Sequence, residues 1–206
     1  MELTPGGARP AFEQAADFFL AMVEQVQPEQ WDRPGLGVWT VRDLVGHTSR
    51  AFLTVETYLG RAASEAALAR AADYVVAALA AYGNPADVAQ RGREAGAALG
   101  DHPLAGVRAI AARVRPLVAG ADDGQLLATP VGGIRLIDYL PTRVFELVVH
   151  TLDLAAALGA PAEPPAQAAT VCLQLAAEVV ARRGQAAPVL LALSGRRPLP
   201  AGFSVI

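Results

Sequence analysis

The sequence predicts a mainly α protein: a helical bundle carrying a short C-terminal helix and a strand-like tail. Three observations carry this reading. Apolar residues recur at three- and four-residue spacing along most of the 206 positions, the signature of helices with one buried face. Much of the 53 % hydrophobic content is alanine, which favours helix while adding little side-chain volume. Charged residues make up only 18 %, a composition suited to a packed globule rather than a disordered chain. The chain is long enough for one sizeable core. We divide it into a bundle over 1–160 and a short helix and strand-like tail over 161–206, packed on the bundle.

The elements follow in order. Residues 10–27 form an amphipathic helix, with Phe12, Ala15, Ala16, Phe19, Leu20, Val23 and Val26 on one face. Pro28 and the Gly35/Gly37 pair end it. The second helix has the clearest start. Thr40 and Asp43 stand at capping-box spacing, and Trp39 and Leu44 flank the cap as a hydrophobic staple would. Leu44, Thr48, Ala51, Phe52, Val55 and Leu59 then give its buried stripe. Alanine-rich helices occupy 64–120, broken at Gly83-Asn-Pro85 and Gly100-Asp-His-Pro103, with Asn84 and Asp101 as N-caps. Thr129–Gly133 reads as a loop leading into a helix over roughly 134–158, closed by Gly159. Pro141 predicts a kink there or a start nearer Leu140. A last helix runs to about Arg183. The apolar run Val189–Leu193 suits a strand.

Several classes of function are excluded or disfavoured by composition. The net charge of −3 and the absence of a dense Lys/Arg run argue against a nucleic-acid binder. The start of the chain lacks the basic-then-apolar order of a signal peptide, and no apolar run reaches membrane-span length. A single cysteine, Cys172, forms no intramolecular disulfide and fits a reducing compartment. It shares an apolar stripe with Ala168, Val171, Leu175 and Val179, so it reads as core. The expectation is a soluble cytoplasmic protein; a homodimer is compatible with the sequence.

The chemistry concentrates in one helix. Leu140, Val144, Leu147, Thr151, Leu154 and Leu158 form its core stripe, and Tyr139, Arg143, Glu146, His150 and Asp153 form a second stripe beside it. Glu146 and His150 stand four residues apart, so both project from one face and can meet at one object. A carboxylate and an imidazole converging this way make two ligands of a zinc-type site. His47, one turn beyond the Thr40 cap, is the candidate third. Arg143 and Asp153 are spaced to orient the ligands from behind. The competing reading is a solvated face with an ordinary Arg143–Glu146 helical ion pair; spacing alone leaves both open. Three protein ligands would leave a position free for water or a small-molecule thiol, either of which a metal would acidify. Arg50, Arg135 and Arg143 offer guanidinium forks for carboxylates. His102, before Pro103, reads as a surface residue.

At this point the residues resemble a known family. Trp39-Thr-Val-Arg-Asp-Leu-Val-Gly-His47 is similar to the "GWTVRDLVAH" segment of the mycothiol-dependent maleylpyruvate isomerase family, whose N-terminal domain is a DinB-like four-helix bundle. The stretch from Thr129-Pro-Val-Gly-Gly133 through Arg143, Glu146, His150 and Asp153 looks like that family's second signature. The tail from Ser194 to Phe203 is similar to the ending of many shorter members. The resemblance implies a zinc enzyme with His47, Glu146 and His150 as ligands and mycothiol as the thiol cosubstrate. It implies an isomerase or thiol S-transferase acting on a small electrophile: addition and elimination isomerise a double bond, and addition or displacement transfers sulfur. Arg50 and Arg143 would hold a substrate carboxylate, Arg135 a cofactor carboxylate, and Asp153 would orient His150. Two departures stand out near the first motif: Gly46 replaces a common alanine, and Val38 a common glycine. Full-length isomerases also carry a larger C-terminal domain than the segment after 160 supplies, so maleylpyruvate itself is not implied. The same ligand set suits iron or nickel. Two further readings use the same residues: a non-catalytic metal-binding or ligand-binding scaffold, and a hydrolase with Asp43 as general base.

Overall fold

Residues 7–205 are described by a computed structural model; the reading of the chain start as lacking a leader falls partly on residues 1–6, outside those described. Among the described residues, eight α-helices and one hairpin make up the fold. Four long helices form its centre: α1 (Ala8–Val23), α2 (Val41–Leu59), α5 (Pro103–Gly120) and α6 (Leu136–Leu158), with α6 and α5 each packed on both α1 and α2. The mainly helical bundle read from periodicity is therefore the observed architecture. Phe12, Phe19, Phe52, Leu44, Leu140 and Leu147 fill the space between them, all fully buried.

Two helices start at side-chain caps. Thr40 accepts from the Asp43 amide at 3.2 Å, and Asp43 Oδ2 accepts from the Thr40 amide at 3.0 Å. That is the reciprocal box its spacing predicted, and it locks the first turn of α2. Asn84 caps α4 (Pro85–Ala97) by accepting from the Ala86 amide. The cap of α5 is His102 rather than Asp101: Pro103, with φ preset and no amide to satisfy, occupies the first helical position, which makes its predecessor the cap. α6 begins at Leu136 and accommodates Pro141 in its second turn.

Between α2 and α5 lie α3 (Ala71–Tyr82) and α4. The first packs on α6 and on α7 (Ala166–Arg182), and the second runs against α2. The α2–α4 contact is backbone to backbone. A Cβ placed on Gly46 would sit 2.2 Å from the Gly96 nitrogen, and one on Gly96 would sit 2.8 Å from Asp43 Oδ1. Gly46 therefore stands where a common alanine could not, because α4 occupies that volume. α7 also packs on α1 and α6, and its Ala168, Val171 and Cys172 join the main core.

Two segments differ from the sequence reading. Thr129–Gly133 is the turn of an antiparallel hairpin, β1 (Leu126–Thr129) and β2 (Gly132–Arg135), not a plain loop. Leu127 and Ile134 face each other across it, both fully buried, and Gly132 takes φ +131°, open to glycine alone. Conversely, the strand-like run Val189–Leu193 lies in a helix, α8 (Ala186–Leu193). The sheet is two-stranded and confined to the hairpin, and the run does not pair with it. Leucine and alanine then follow their helical preference, with Pro188 tolerated in the first turn. Among the described residues no helix is long and apolar enough to cross a membrane.

Candidate metal centre

The capped start of α2 places His47 on the side of that helix facing α6. There the three candidate ligands meet: one ligand atom from each of His47, Glu146 and His150 lies within 4.8 Å of the other two. Glu146 Oε2 is 3.4 Å from His150 Nε2 and 3.8 Å from His47 Nε2. Ligands each about 2.0–2.1 Å from a tetrahedral zinc stand about 3.3 Å apart, so these separations are within about half an ångström of that geometry. Two imidazoles and a carboxylate are also the donor chemistry of a zinc site with an open position. The residues present fit a divalent ion.

Electrostatics distinguish the two histidines. Burial holds His47 well below its ordinary range, down to about 4, and the neighbouring His150 pushes it further in that direction. Burial would lower His150 too, but hydrogen bonds with Asp153 and Glu146 outweigh it and raise this group to about 9. Burial would raise Glu146, yet the hydrogen bond from His150 and the charges of Arg143 and both histidines bring it down to about 2. Without metal at neutral pH, His47 is neutral and His150 is an imidazolium bridging two carboxylates. Asp153 Oδ2 meets His150 Nδ1 at 3.0 Å, the outer-shell contact that orients a ligating imidazole.

The second stripe of α6 is not a solvated face. Tyr139 is fully buried and Arg143 nearly so. Arg143 makes no ion pair with Glu146 among the described residues. Its Nε donates to Thr142 Oγ1 at 2.9 Å and its Nη1 to Thr54 Oγ1 at 3.3 Å, while the guanidinium lies 4.9 Å over the Tyr139 ring. The three ligand side chains and Arg143 line a cavity of about 760 Å³, with Arg50 and Arg91. That volume suits a small molecule. Tyr58 and Tyr74 add aromatic wall, and Pro130 and Val131 at the hairpin turn contribute from the β side.

Of the three arginines read from sequence, Arg50 and Arg143 reach this cavity and Arg135 does not. Arg135 stands just before α6 and outside the cavity, its Nε donating to Asp138 Oδ2 at 2.5 Å, because the hairpin turns its last residue away from the cavity. Arg50 makes no side-chain hydrogen bond or ion pair with another described residue, and burial followed by the nearby Arg91 charge lowers its pKa. Asp43 is committed to the α2 capping box and does not line the cavity, which removes the general base the hydrolase reading required. Cys172 is buried in the core, its thiol pushed up to about 12 by burial. His102 is exposed on the surface.

Four contributors escaped the sequence reading. Tyr58 and Thr54 continue the α2 face of His47 and Arg50 at helical spacing, a pattern that could have found them. Arg91 and Tyr74 come from α4 and α3, where no motif marks them. Only the packing brings them in.

The profile described as the mycothiol maleylpyruvate isomerase N-terminal domain matches residues 12–155. The match spans well over half of the chain and contains all three ligand candidates. The chain belongs to this family. Searches of curated proteins and of solved structures returned no match. Membership of the mycothiol maleylpyruvate isomerase family links the chain to a small-molecule thiol and to isomerase chemistry, and the His47–Glu146–His150 cluster supplies a candidate metal site within the matched domain.

Proposed function

We propose that this chain is a zinc-dependent enzyme using a low-molecular-weight thiol, mycothiol, to isomerise a small carboxylate-bearing electrophile, or to join the thiol sulfur to it as an S-transferase, in the cytoplasm. The observation that carries it is the convergence of His47, Glu146 and His150 on a cavity that also presents Arg50, Arg91 and Arg143. A structural metal would be closed off by a fourth protein ligand; among the described residues no further His, Cys, Asp or Glu joins the cluster.

His47, Glu146 and His150 would hold the ion, which supplies the Lewis acidity that makes a thiol nucleophilic near neutral pH. Asp153 would keep the His150 ring in register through Nδ1, leaving Nε2 for the metal. The guanidinium of Arg50, free of protein partners among the described residues, would take a substrate carboxylate in a bidentate pair. Arg143, held rigid by Thr54, Thr142 and Tyr139, would add a fixed positive charge beside the reacting carbon. Tyr58, Tyr74 and Val75 would exclude water from the electrophile, which favours thiol addition over hydrolysis.

The test is elemental analysis of the purified protein with turnover of small unsaturated carboxylates, with and without thiol, in wild type and Glu146→Ala. Expected are about one zinc per chain and thiol-dependent turnover, both lost in the variant. Zinc content and turnover unchanged in Glu146→Ala, or no metal taken up after reconstitution, would overturn the proposal.

A further inference from the structure

The two imidazoles of the cluster are held in different ways. His150 has Asp153 behind it, as metal-ligating histidines usually have a carboxylate, carbonyl or water behind them. His47 has no such partner: its Nδ1 is buried and meets no hydrogen-bonding group among the described residues. What lies against the ring is Trp39. The indole and imidazole centroids are 4.5 Å apart with planes inclined at 33°, a close, tilted ring-on-ring contact. The same indole and the His150 ring are T-shaped, with centroids 6.4 Å apart and planes at 74°.

Trp39 is itself fixed from the other side. Its Nε1 donates to the Ala89 carbonyl of α4 at 2.9 Å. Gly92, one turn further along α4, lets the ring lie directly on the helix: a Cβ there would fall 2.4 Å from the indole Cε2 and Nε1. The indole is thus clamped between the α4 backbone and the His47 ring.

We propose that Trp39 is the positioning residue for His47, its indole packed on the ring setting the imidazole plane as a hydrogen-bonded carboxylate does for His150, with α4 as the support. The inference rests on the reading of His47 as a metal ligand. It assigns α4 a purpose that the ligand motifs do not reveal: through Ala89 and Gly92, this helix controls the precision of the metal site without supplying a ligand.

The experiment compares wild type with Trp39→Phe, Trp39→Leu and Gly92→Ala. The readouts are Zn²⁺ affinity by chelator competition, the visible spectrum of the Co²⁺-loaded protein, and thermal unfolding of the metal-free protein. Trp39→Leu removes the aromatic face and is expected to weaken Zn²⁺ binding on the order of tenfold or more and to shift the Co²⁺ bands. Trp39→Phe keeps an aromatic face and is expected to recover most of the affinity and the spectrum. Gly92→Ala keeps the tryptophan but displaces its ring, and should reproduce the weakened binding and altered spectrum. It also serves if Trp39→Leu does not fold. Wild-type affinity and spectrum in Gly92→Ala or a folded Trp39→Leu would overturn the inference, as would a Phe variant no better than Leu. The reading beneath it fails separately: in that case wild type itself would bind no metal, or His150→Ala would bind as tightly as wild type.

Discussion

Asp153 Oδ2 lies 3.0 Å from His150 Nδ1, one turn along the same helix, and the far nitrogen of that ring faces Glu146 at 3.4 Å. In the metal-free protein this arrangement retains a proton on His150 up to about pH 9. Metal binding must displace that proton, whereas His47, lowered to about 4, has none to lose near neutrality. Zn²⁺ affinity is therefore expected to rise about tenfold per pH unit between pH 6 and 9 and then level off, as exchange for one proton requires. Asp153→Asn should move the levelling point to lower pH. It should also cut the plateau affinity about 10–100-fold through loss of ring orientation. Titrations against chelator-buffered zinc across this range check both; a flat profile in wild type would contradict the first.

The stability of the metal-free protein should show two limbs. His150 is raised above its ordinary 6.5, so its contribution is complete below that pH and is lost as pH climbs through about 9. His47 is lowered, so the unfolded chain takes up a proton first and stability falls from pH 6.5 towards 4. Glu146 is lowered to about 2, and its contribution is lost as pH drops below 4.5. These three groups place their joint maximum near pH 6.5. Denaturant titrations at acid, neutral and alkaline pH test this, and His150→Gln should abolish the alkaline limb while also weakening the acid limb, because His150 helps lower both His47 and Glu146.

Arg50 is the cleanest probe of substrate charge because no described residue depends on its guanidinium. Arg50→Ala should raise KM for a carboxylate substrate on the order of tenfold to a hundredfold, the loss of a charged hydrogen-bonded pair, with little change in unfolding temperature. Arg135→Ala, which touches only the surface partner Asp138, should leave KM unaltered. Equal effects of the two would argue that charge acts at long range rather than by contact.

Gly46→Ala places a methyl group 2.2 Å from the Gly96 nitrogen. The obstacle is backbone, which cannot rotate away, so α2 and α4 must separate. A loss of about 1–3 kcal/mol is expected, as for other overpacked interiors, read by chemical denaturation. No loss would show that α4 can move on α2 at little cost.

The legible part of the fold was local. The α2 cap depends on two residues three apart, Thr40 and Asp43, and the Glu146–His150 pair on the helical repeat within α6; both spacings are set by backbone geometry over a single turn. Their reading needed no knowledge of neighbours. The run Val189–Leu193 failed for the complementary reason: a short apolar stretch is compatible with either helix or strand, and the availability of a sheet edge decides. Arg135 lies outside the cavity lining, since its proximity to the site in sequence is undone by the direction in which the hairpin delivers it.

By itself the sequence determined the long helices, the caps of α2 and α4, the stripe carrying Glu146 and His150, and, through its two motifs, the family. Tertiary structure decided what faces that stripe. His47 lies 3.8 Å from Glu146 because α2 packs on α6, Arg91 and Tyr74 join because α4 and α3 close the cavity, and Trp39 reaches the His47 ring because α4 lies tight enough on α2 to hold it. One helical turn fixes which side chains share a face. Only the packing of whole helices, driven by burial of their apolar stripes, fixes which faces meet.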